Sequence, residues 1–279
     1  MMTLITLVAN QSLACLSANT QLTDLHKCLN QHFAIYQNDE MSTNNDMLAQ
    51  LAHLLSQHCH LVNMTALLSS IIQSPTLLKQ IAARSYWHGN GFLKVVLLDQ
   101  GYKLRLHIWF AGTSCEENIH SHRWGFASYV LTGALKSELW ADAANDDLAA
   151  LPCVSKPYPT PSQTPTLMSD EYLYTAKHKN DQNNVAARKQ YIGTAHLKKL
   201  QNVTQVAGAN YVMTPDQLHR INHPGEELVA TIICTAPTQV LTNRLFPTTA
   251  DPKLHPTNLS SDELKHALTC YLNQQRLVA

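Results

Sequence analysis

The stretch Ile119-His-Ser-His-Arg-Trp-Gly-Phe-Ala-Ser-Tyr-Val-Leu-Thr-Gly133 holds the most informative pattern in the chain. Two histidines, His120 and His122, are separated by one residue and precede an apolar run. On a β-strand, residues i and i+2 point to the same face, so this segment can direct two imidazoles at one point. Such an arrangement suits a divalent metal ion, because neutral imidazole is the usual protein ligand for iron, zinc, nickel and copper. His219 can supply a third nitrogen ligand, with His223 and His107 as the alternatives.

The composition disfavours several function classes. The chain has 279 residues, with 20 Lys plus Arg against 20 Asp plus Glu. This length can bury a large core, and the charge balance gives no overall field that would attract nucleic acid or an anionic membrane. The seven cysteines are an odd number without a CxxC pair, which is typical of reduced thiols in a cytoplasmic protein. We therefore expect a small-molecule partner, no nucleic acid and no membrane.

The N-terminus carries a weaker signal. Residues 1–9 are apolar but lack the basic region of a secretory signal, and they are too short to span a bilayer. They predict an ordinary N-terminus, with a cleaved leader as the alternative.

The pattern along the chain changes from helical to extended. Residues 20–88 carry apolar stripes at spacings of three and four, including a helix start at Ser74-Pro75. The turn His88-Gly-Asn-Gly91 then introduces short strands. The predicted strands cover residues 92–99, 104–110, 124–131, 135–140, 171–176, 190–197, 202–206, 210–213, 228–234 and 238–246. Between them, the proline-rich residues 141–168 predict a surface loop or mobile flap. The tail predicts a helix with a capping box formed by Ser260 and Glu263.

These residues resemble the cupin superfamily of double-stranded β-helix proteins, whose first motif has the form G-x5-H-x-H-x3-E-x6-G. His120, His122 and Gly133 reproduce that spacing. The second motif, G-x5-P-x-G-x2-H-x3-N, aligns on Gly208 and His219. The resemblance covers residues 92–246 and implies a β-barrel with a metal ion bound in its interior.

Departures from the motifs change what the resemblance implies. Phe126 occupies the position at which many cupins supply a glutamate ligand. Other positions depart as well: Ser114 replaces the first Gly, Thr214 and Asp216 replace Pro and Gly, and His223 replaces Asn. The remaining three-histidine set is similar to that of cysteine dioxygenase-type and diketone-cleaving cupins. Three neutral ligands leave Fe(II) with a net positive charge and open positions for an anionic substrate and dioxygen. Fe(II) is therefore the expected metal, with Ni, Mn, Cu or Zn as alternatives.

The resemblance does not extend to a particular substrate. The Ser-x-His-x-Tyr set of the thiol dioxygenases is absent, since residues 232–236 read Ile-Ile-Cys-Thr-Ala. Position 127, where the cross-linking cysteine of the animal enzymes would lie, is alanine.

Three further residues are candidates for catalysis. Alternation over residues 104–109 places Arg105 and His107 on one face, where Arg105 can bind a substrate carboxylate and His107 can be a fourth ligand or proton relay. The alternative is a solvated or packed face. We expect Tyr129 and Trp124 to share the face of His120 and His122, either lining the cavity or forming core.

The acidic pair Glu116 and Glu117 precedes the two histidines on an expected loop. One of the two can act as a ligand or an acid/base group, but a solvated surface is the favoured interpretation.

The predicted architecture is mainly β. It has a helical extension at residues 1–88, a cupin-like double-stranded β-helix barrel at residues 89–247, and a C-terminal tail and helix at residues 248–279. The predicted function is that of a mononuclear non-haem Fe(II) dioxygenase of a small polar or thiol-bearing substrate. The alternatives are a cupin isomerase or epimerase, and a non-catalytic ligand-sensing module whose helices form a homodimer surface.

Overall fold

The structure is a computed structural model that describes residues 18–38, 43–143, 165–175, 188–247 and 257–278. Its helices are α1 (Ala18–Asn38), α2 (Asn44–His58), α3 (Leu61–Gln73), α4 (Pro75–Ala82) and α5 (Ser261–Val278). The predicted helix start at Ser74-Pro75 and the capping box at Ser260 are both confirmed. A second capping box, between Thr43 and Asp46, begins α2. Predictions for the N-terminal residues 1–17 lie outside the described residues.

The described strands are short, apart from β9. Their bounds are β1 (Tyr86–Trp87), β2 (Leu93–Asp99), β3 (Lys103–Trp109), β4 (Cys115–Glu116), β5 (Ile119–His120), β6 (Phe126–Thr132), β7 (Ala134–Asp142), β8 (Thr166–Thr175), β9 (Arg188–Val206), β10 (Asn210–Met213), β11 (Leu218–His223), β12 (Val229–Thr235) and β13 (Thr242–Phe246). The mainly β class with N-terminal and C-terminal helices is therefore confirmed. The boundary predicted at residue 89 falls just after β1, which pairs with β2.

The strands form two antiparallel sheets. The first sheet has the order β1-β2-β3-β12-β6-β10. The second has the order β4-β11-β5-β13-β8-β9-β7, and an additional pairing of β11 with β7 closes it on itself. Closure leaves β11 hydrogen-bonded on both sides, which fixes the positions of the residues that it carries.

The helices cover one face of the first sheet. Alternate residues of β2, β3 and β12 point to this face and join the helices in one continuous apolar cluster. The members that show this most clearly are Leu29, Leu51, Leu68, Leu268, Leu93, Val95, Leu104, Leu106, Ala230 and Ile232. The residues between them in each strand point the other way, towards the second sheet. The interior between the sheets is therefore lined by a different and more polar set.

Several local predictions need correction. The predicted strands 190–197 and 202–206 are one strand, β9, because β7 and β8 pair with it along its length. Strand β8 begins at Thr166, inside the predicted loop, while residues 144–164 lie outside the described residues. The strand assumed for the two histidines is also shorter than expected, since β5 ends at His120.

Within the described ranges, no single helix is long and apolar enough to cross a bilayer. Helices α3 and α4 reach that length and composition only together, across a bend of 103°.

Candidate metal centre

The structure brings His120, His122 and His219 together. The potential ligand atoms, one nitrogen from each imidazole, all lie within 4.8 Å of one another. No other group of three potential metal ligands occurs in the described parts of the chain. His219 on β11 lies directly opposite His120 on β5 in the antiparallel register. The ring centroids are 4.7 Å apart for His120 and His219 and 4.8 Å apart for His120 and His122. The predicted three-histidine cluster therefore exists as a compact group.

Backbone hydrogen bonds hold His122 in place beyond the end of β5. Its amide donates to the carbonyl of Pro215 at 3.0 Å, and the Ser121 amide donates to the Arg244 carbonyl at 3.0 Å. The Arg244 amide in turn donates to the Ser121 hydroxyl at 2.9 Å. The segment therefore stays extended without belonging to a strand, and His122 points to the same place as His120.

Hydrogen bonding indicates which nitrogens face the centre. Nδ1 of His120 donates to the Asn118 carbonyl at 2.8 Å, which leaves Nε2 with its lone pair available for a metal ion. The Nε2 atoms of His122 and His219 approach each other to 2.8 Å. An ion about 2.0–2.1 Å from both atoms would subtend about 85–90° between them. That angle is close to the right angle of two adjacent positions of an octahedron.

Burial keeps the imidazoles of His122 and His219 neutral. It lowers the pKa of His122 well below the usual value, and the nearby His120, His219, Arg105 and Lys94 lower it further. Burial and His120 likewise lower the pKa of His219. Neutral imidazole is the form that binds metal ions, so the donor set fits a divalent cation.

Among the described residues, aromatic rings and not carboxylates lie next to the cluster. Phe126, at the position of the motif glutamate, lies edge-on to the His122 ring at 5.1 Å and packs with Met213 and Ile233. Trp124 stacks on His122 at 6.1 Å. The group of potential ligands therefore contains three imidazoles and no acid.

Arg105 and His107 lie on the interior face of β3. The Arg105 guanidinium is 5.2 Å from the Trp124 ring, which connects it to the histidine cluster. His107 is buried between Phe92 and Trp109, with ring centroids at 5.0 and 5.9 Å. Its Nε2 has no hydrogen-bond partner in the structure as described, and it does not belong to the three-histidine group. The catalytic roles assigned to both residues remain predictions.

The expectation for Tyr129 was wrong about its face. Tyr129 packs against the apolar cluster between the first sheet and the helices, together with Ala127 and Leu131. Alternation along β6 explains this, because an odd-numbered residue there points away from Phe126 and the histidines. Tyr129 therefore does not line the interior.

Two residues near the site were missed or misjudged. Glu117 was expected on a solvated surface but is buried, and its carboxylate accepts from the Ile221 amide at 3.2 Å. Lys94 on β2 pairs with His107 in the register of β2 and β3, so it points into the same interior. The strand 93–99 is buried on both faces, so no alternation in its sequence reveals which residues face inward.

An ion-pair network holds β11 from the side opposite His219. Arg220 donates through Nε to Glu138 at 2.6 Å and through Nη1 to Glu116 at 2.7 Å. Glu138 also accepts from Trp140 and Lys199. Successive strand residues face opposite ways, so Arg220 anchors the strand while His219 faces the cluster.

Comparisons with known proteins find similarity only to solved structures. No family model matches the sequence, and no curated protein matches it. Among solved structures, an oxalate decarboxylase of Lactobacillus farciminis is 10% identical, with 55% of this chain and 31% of that chain covered and a TM-score of 0.29. An RmlC-like cupin of Ralstonia eutropha is 14% identical, with 66% and 74% covered and a TM-score of 0.27.

A third similar structure is a hydroquinone 1,2-dioxygenase in complex with Cd2+ and 4-hydroxybenzonitrile. It is 11% identical, with 50% of this chain and 61% of that chain covered and a TM-score of 0.26. The chain thus spans less than two thirds of this dioxygenase and of the decarboxylase. Cupins are among the structures to which the chain is similar.

Proposed function

We propose that the chain is a mononuclear metal enzyme in which His120, His122 and His219 bind Fe(II). The proposed reaction is the dioxygenation of a small polar or thiol-bearing substrate that carries an anionic group. The observation that supports this most strongly is the convergence of three imidazoles, with no carboxylate among the described residues in the group.

The ligand set favours an anionic substrate. Three neutral ligands leave the charge of a divalent ion uncompensated, so an anion is attracted to the open positions beside it. When bound, the metal would supply positions at which substrate and dioxygen bind next to each other.

The surrounding residues support roles in binding and proton transfer. Arg105 is proposed to bind the anionic group of the substrate, because its Nε is buried and has no hydrogen-bond partner in the described structure. His107 is proposed to hold or move a proton at its unpartnered Nε2. Phe92 and Trp109 lie against His107, and Trp124 lies against Arg105, so aromatic rings flank both side chains.

Metal analysis of matched histidine variants tests the proposal. Wild-type protein should retain iron after anaerobic incubation with Fe(II) and desalting, whereas His122→Ala should bind it at least about 100-fold more weakly. The control is His196→Ala, which removes an exposed histidine on β9. If His122→Ala retains iron as the wild type does, the assigned metal centre is wrong.

A second measurement tests the open positions on the metal. Nitric oxide binds iron in place of dioxygen, so the iron-loaded wild type should give the electron paramagnetic resonance signal of a high-spin iron–nitrosyl complex. Absence of this signal in the iron-loaded protein would contradict a dioxygenase and favour the isomerase or the ligand-sensing module.

A further inference from the structure

Two cationic side chains share the barrel interior with the proposed metal centre. In the register of β2 and β3, Lys94 lies opposite His107, and Val96 lies opposite Arg105. Lys94 and Arg105 are therefore diagonal neighbours on one face, where long side chains can reach a common point. Both residues are only partly exposed.

Neither cation has a carboxylate partner within 4.0 Å in the described structure. The Lys94 ammonium instead lies 5.5 Å from the centroid of the Tyr86 ring and 5.4 Å from that of Phe92. The Arg105 guanidinium lies over Trp124, and its buried Nε donates to nothing among the described residues. Burying an unpaired cation is costly, and aromatic faces offset only part of that cost.

Unused hydrogen-bonding atoms lie on the same face. Thr231 on β12 is opposite His107 on β3, and both are buried. The Thr231 Oγ1 and the His107 Nε2 have no hydrogen-bond partners in the described parts of the chain. Buried polar atoms are normally satisfied, so a group of them beside two cations indicates a position for a polar ligand.

We propose that Lys94 and Arg105 together form a binding site for a carboxylate group of a small molecule, with His107 and Thr231 as further hydrogen-bonding partners. The planar guanidinium of Arg105, stacked on Trp124, matches the planar carboxylate, and Lys94 supplies a second positive charge. Lys94 has no role in the site as predicted from the sequence. That this carboxylate belongs to the substrate of the metal centre rests on the proposed function.

The carboxylate site lies close to the histidine cluster, which favours a substrate of the metal centre as its ligand. Trp124 contacts both Arg105 and His122, with ring distances of 5.2 and 6.1 Å. A carboxylate held by Arg105 therefore lies one aromatic ring away from the histidine cluster. A small substrate can reach both.

Proton uptake by Lys94 on ligand binding distinguishes a role in binding from a purely structural role. Burial, followed by the charge of Arg105, lowers the pKa of Lys94 to about 7, while Glu117 opposes this shift and Lys103 adds to it. The other titratable groups near it are Tyr86 on β1, His88 after β1, His107 on β3 and His122 at the metal centre. A bound carboxylate favours the charged ammonium, so binding near pH 8 should take up a proton.

Calorimetric titration with malonate tests the site on the full-length protein, in both the metal-free and the iron-loaded form. Malonate should bind in both forms, and Lys94→Met should weaken binding by about 10- to 100-fold, as loss of a charge-assisted hydrogen bond does. Lys94→Arg should restore most of the affinity. The control Lys136→Met removes an exposed lysine paired with Glu226 and should bind as the wild type does.

Proton uptake follows from the same titrations in buffers of different ionisation enthalpy. The wild type should take up a proton at pH 8 and less at pH 6, and Lys94→Met should take up none. Malonamide, the neutral analogue, should not bind.

Three outcomes would overturn the proposed carboxylate site. Malonate binding that needs iron and is unchanged in Lys94→Met would mean that malonate only coordinates the metal. Tighter binding of inorganic phosphate than of malonate would overturn the carboxylate assignment. Equal binding by folded Lys94→Met and wild type in the metal-free form would exclude Lys94.

The failure of the proposed function would look different. If wild-type protein binds no iron but metal-free protein binds malonate through Lys94, the carboxylate site stands and the metal enzyme does not. If iron binds as proposed and Lys94→Met has no effect on malonate, only the carboxylate site fails.

Discussion

Replacing Phe126 with glutamate should convert the three-histidine centre into one with a carboxylate ligand. Phe126 occupies the motif position of that ligand, and its ring lies 5.1 Å from the His122 ring and 6.2 Å from the His219 ring. A carboxylate there can reach the same ion as the imidazoles. Phe126→Glu should therefore bind Mn(II) or Fe(II) more tightly than Phe126→Gln, which has nearly the same shape without the charge.

The substitution also has a cost that can be estimated from the structure. Phe126 is 4% exposed and packs with Met213 and Ile233, so its loss should destabilise the metal-free protein by about 3–5 kcal/mol. In Phe126→Glu, desolvation of the carboxylate adds to this cost. A bound metal ion should reverse that added part, because it pairs the buried charge.

Urea unfolding with and without Mn(II) measures both effects. If the added carboxylate raises the affinity for the metal about tenfold, Mn(II) should stabilise Phe126→Glu by about 1.4 kcal/mol more than it stabilises Phe126→Gln, at the same excess of metal. Equal gains in the two variants would refute the reasoning. They would mean that position 126 does not face the ion, and that the cluster is not arranged around a metal as described.

Three further predictions concern the framework and the carboxylate site. Glu138→Gln should destabilise the protein by about 2–4 kcal/mol in urea, since it removes the buried carboxylate that pairs with Arg220. Glu226→Gln, at an exposed pair, should cost less than about 0.5 kcal/mol. Burial opposes ionisation of Glu138, but Arg220 and its other partners outweigh it and lower its pKa. Its stabilising contribution should be present above pH 4.5 and lost as the pH falls below that value, and Glu138→Gln should lack this loss. Gly133→Ala should lower the free energy of unfolding, measured by thermal unfolding, by more than about 3 kcal/mol, because φ is +69° and a Cβ would lie 2.3 Å from the Leu228 carbonyl oxygen. The control Gly101→Ala has open space around it and should cost about 1 kcal/mol. The affinity for malonate should fall as the pH rises above about 7, because Lys94 loses its proton in the free protein, and a flat profile would contradict its role.

The parts of the fold with strong local signals could be predicted from the sequence. Helix α4 begins at Pro75 and α5 at its capping box, because these signals act within one turn of a helix. The motif spacing identified His120, His122 and His219, since both motifs carry their ligands at fixed distances along the chain.

Features that depend on pairing between distant strands could not be predicted in the same way. The polar middle of β9 at Lys198 and Lys199 resembles a break, yet β7 pairs with residues on both sides of it and β8 pairs as far as Lys198. Strand β11 was missed because its alternation is polar, and its pairing with β5 and β7 defines it. Lys94 could not be recognised because both faces of β2 are buried.

The most direct test of the central claim is X-ray absorption spectroscopy of the protein loaded with Fe(II) under anaerobic conditions. In the proposed centre, three imidazoles hold the metal, with no carboxylate from the described residues. The spectrum should show scattering from three imidazole rings, with nitrogen at about 2.1 Å, a typical distance from metal to imidazole. His219→Ala should reduce the number of imidazoles to two. Fewer than three imidazoles around the iron in the wild type would show that these three histidines do not hold the metal together.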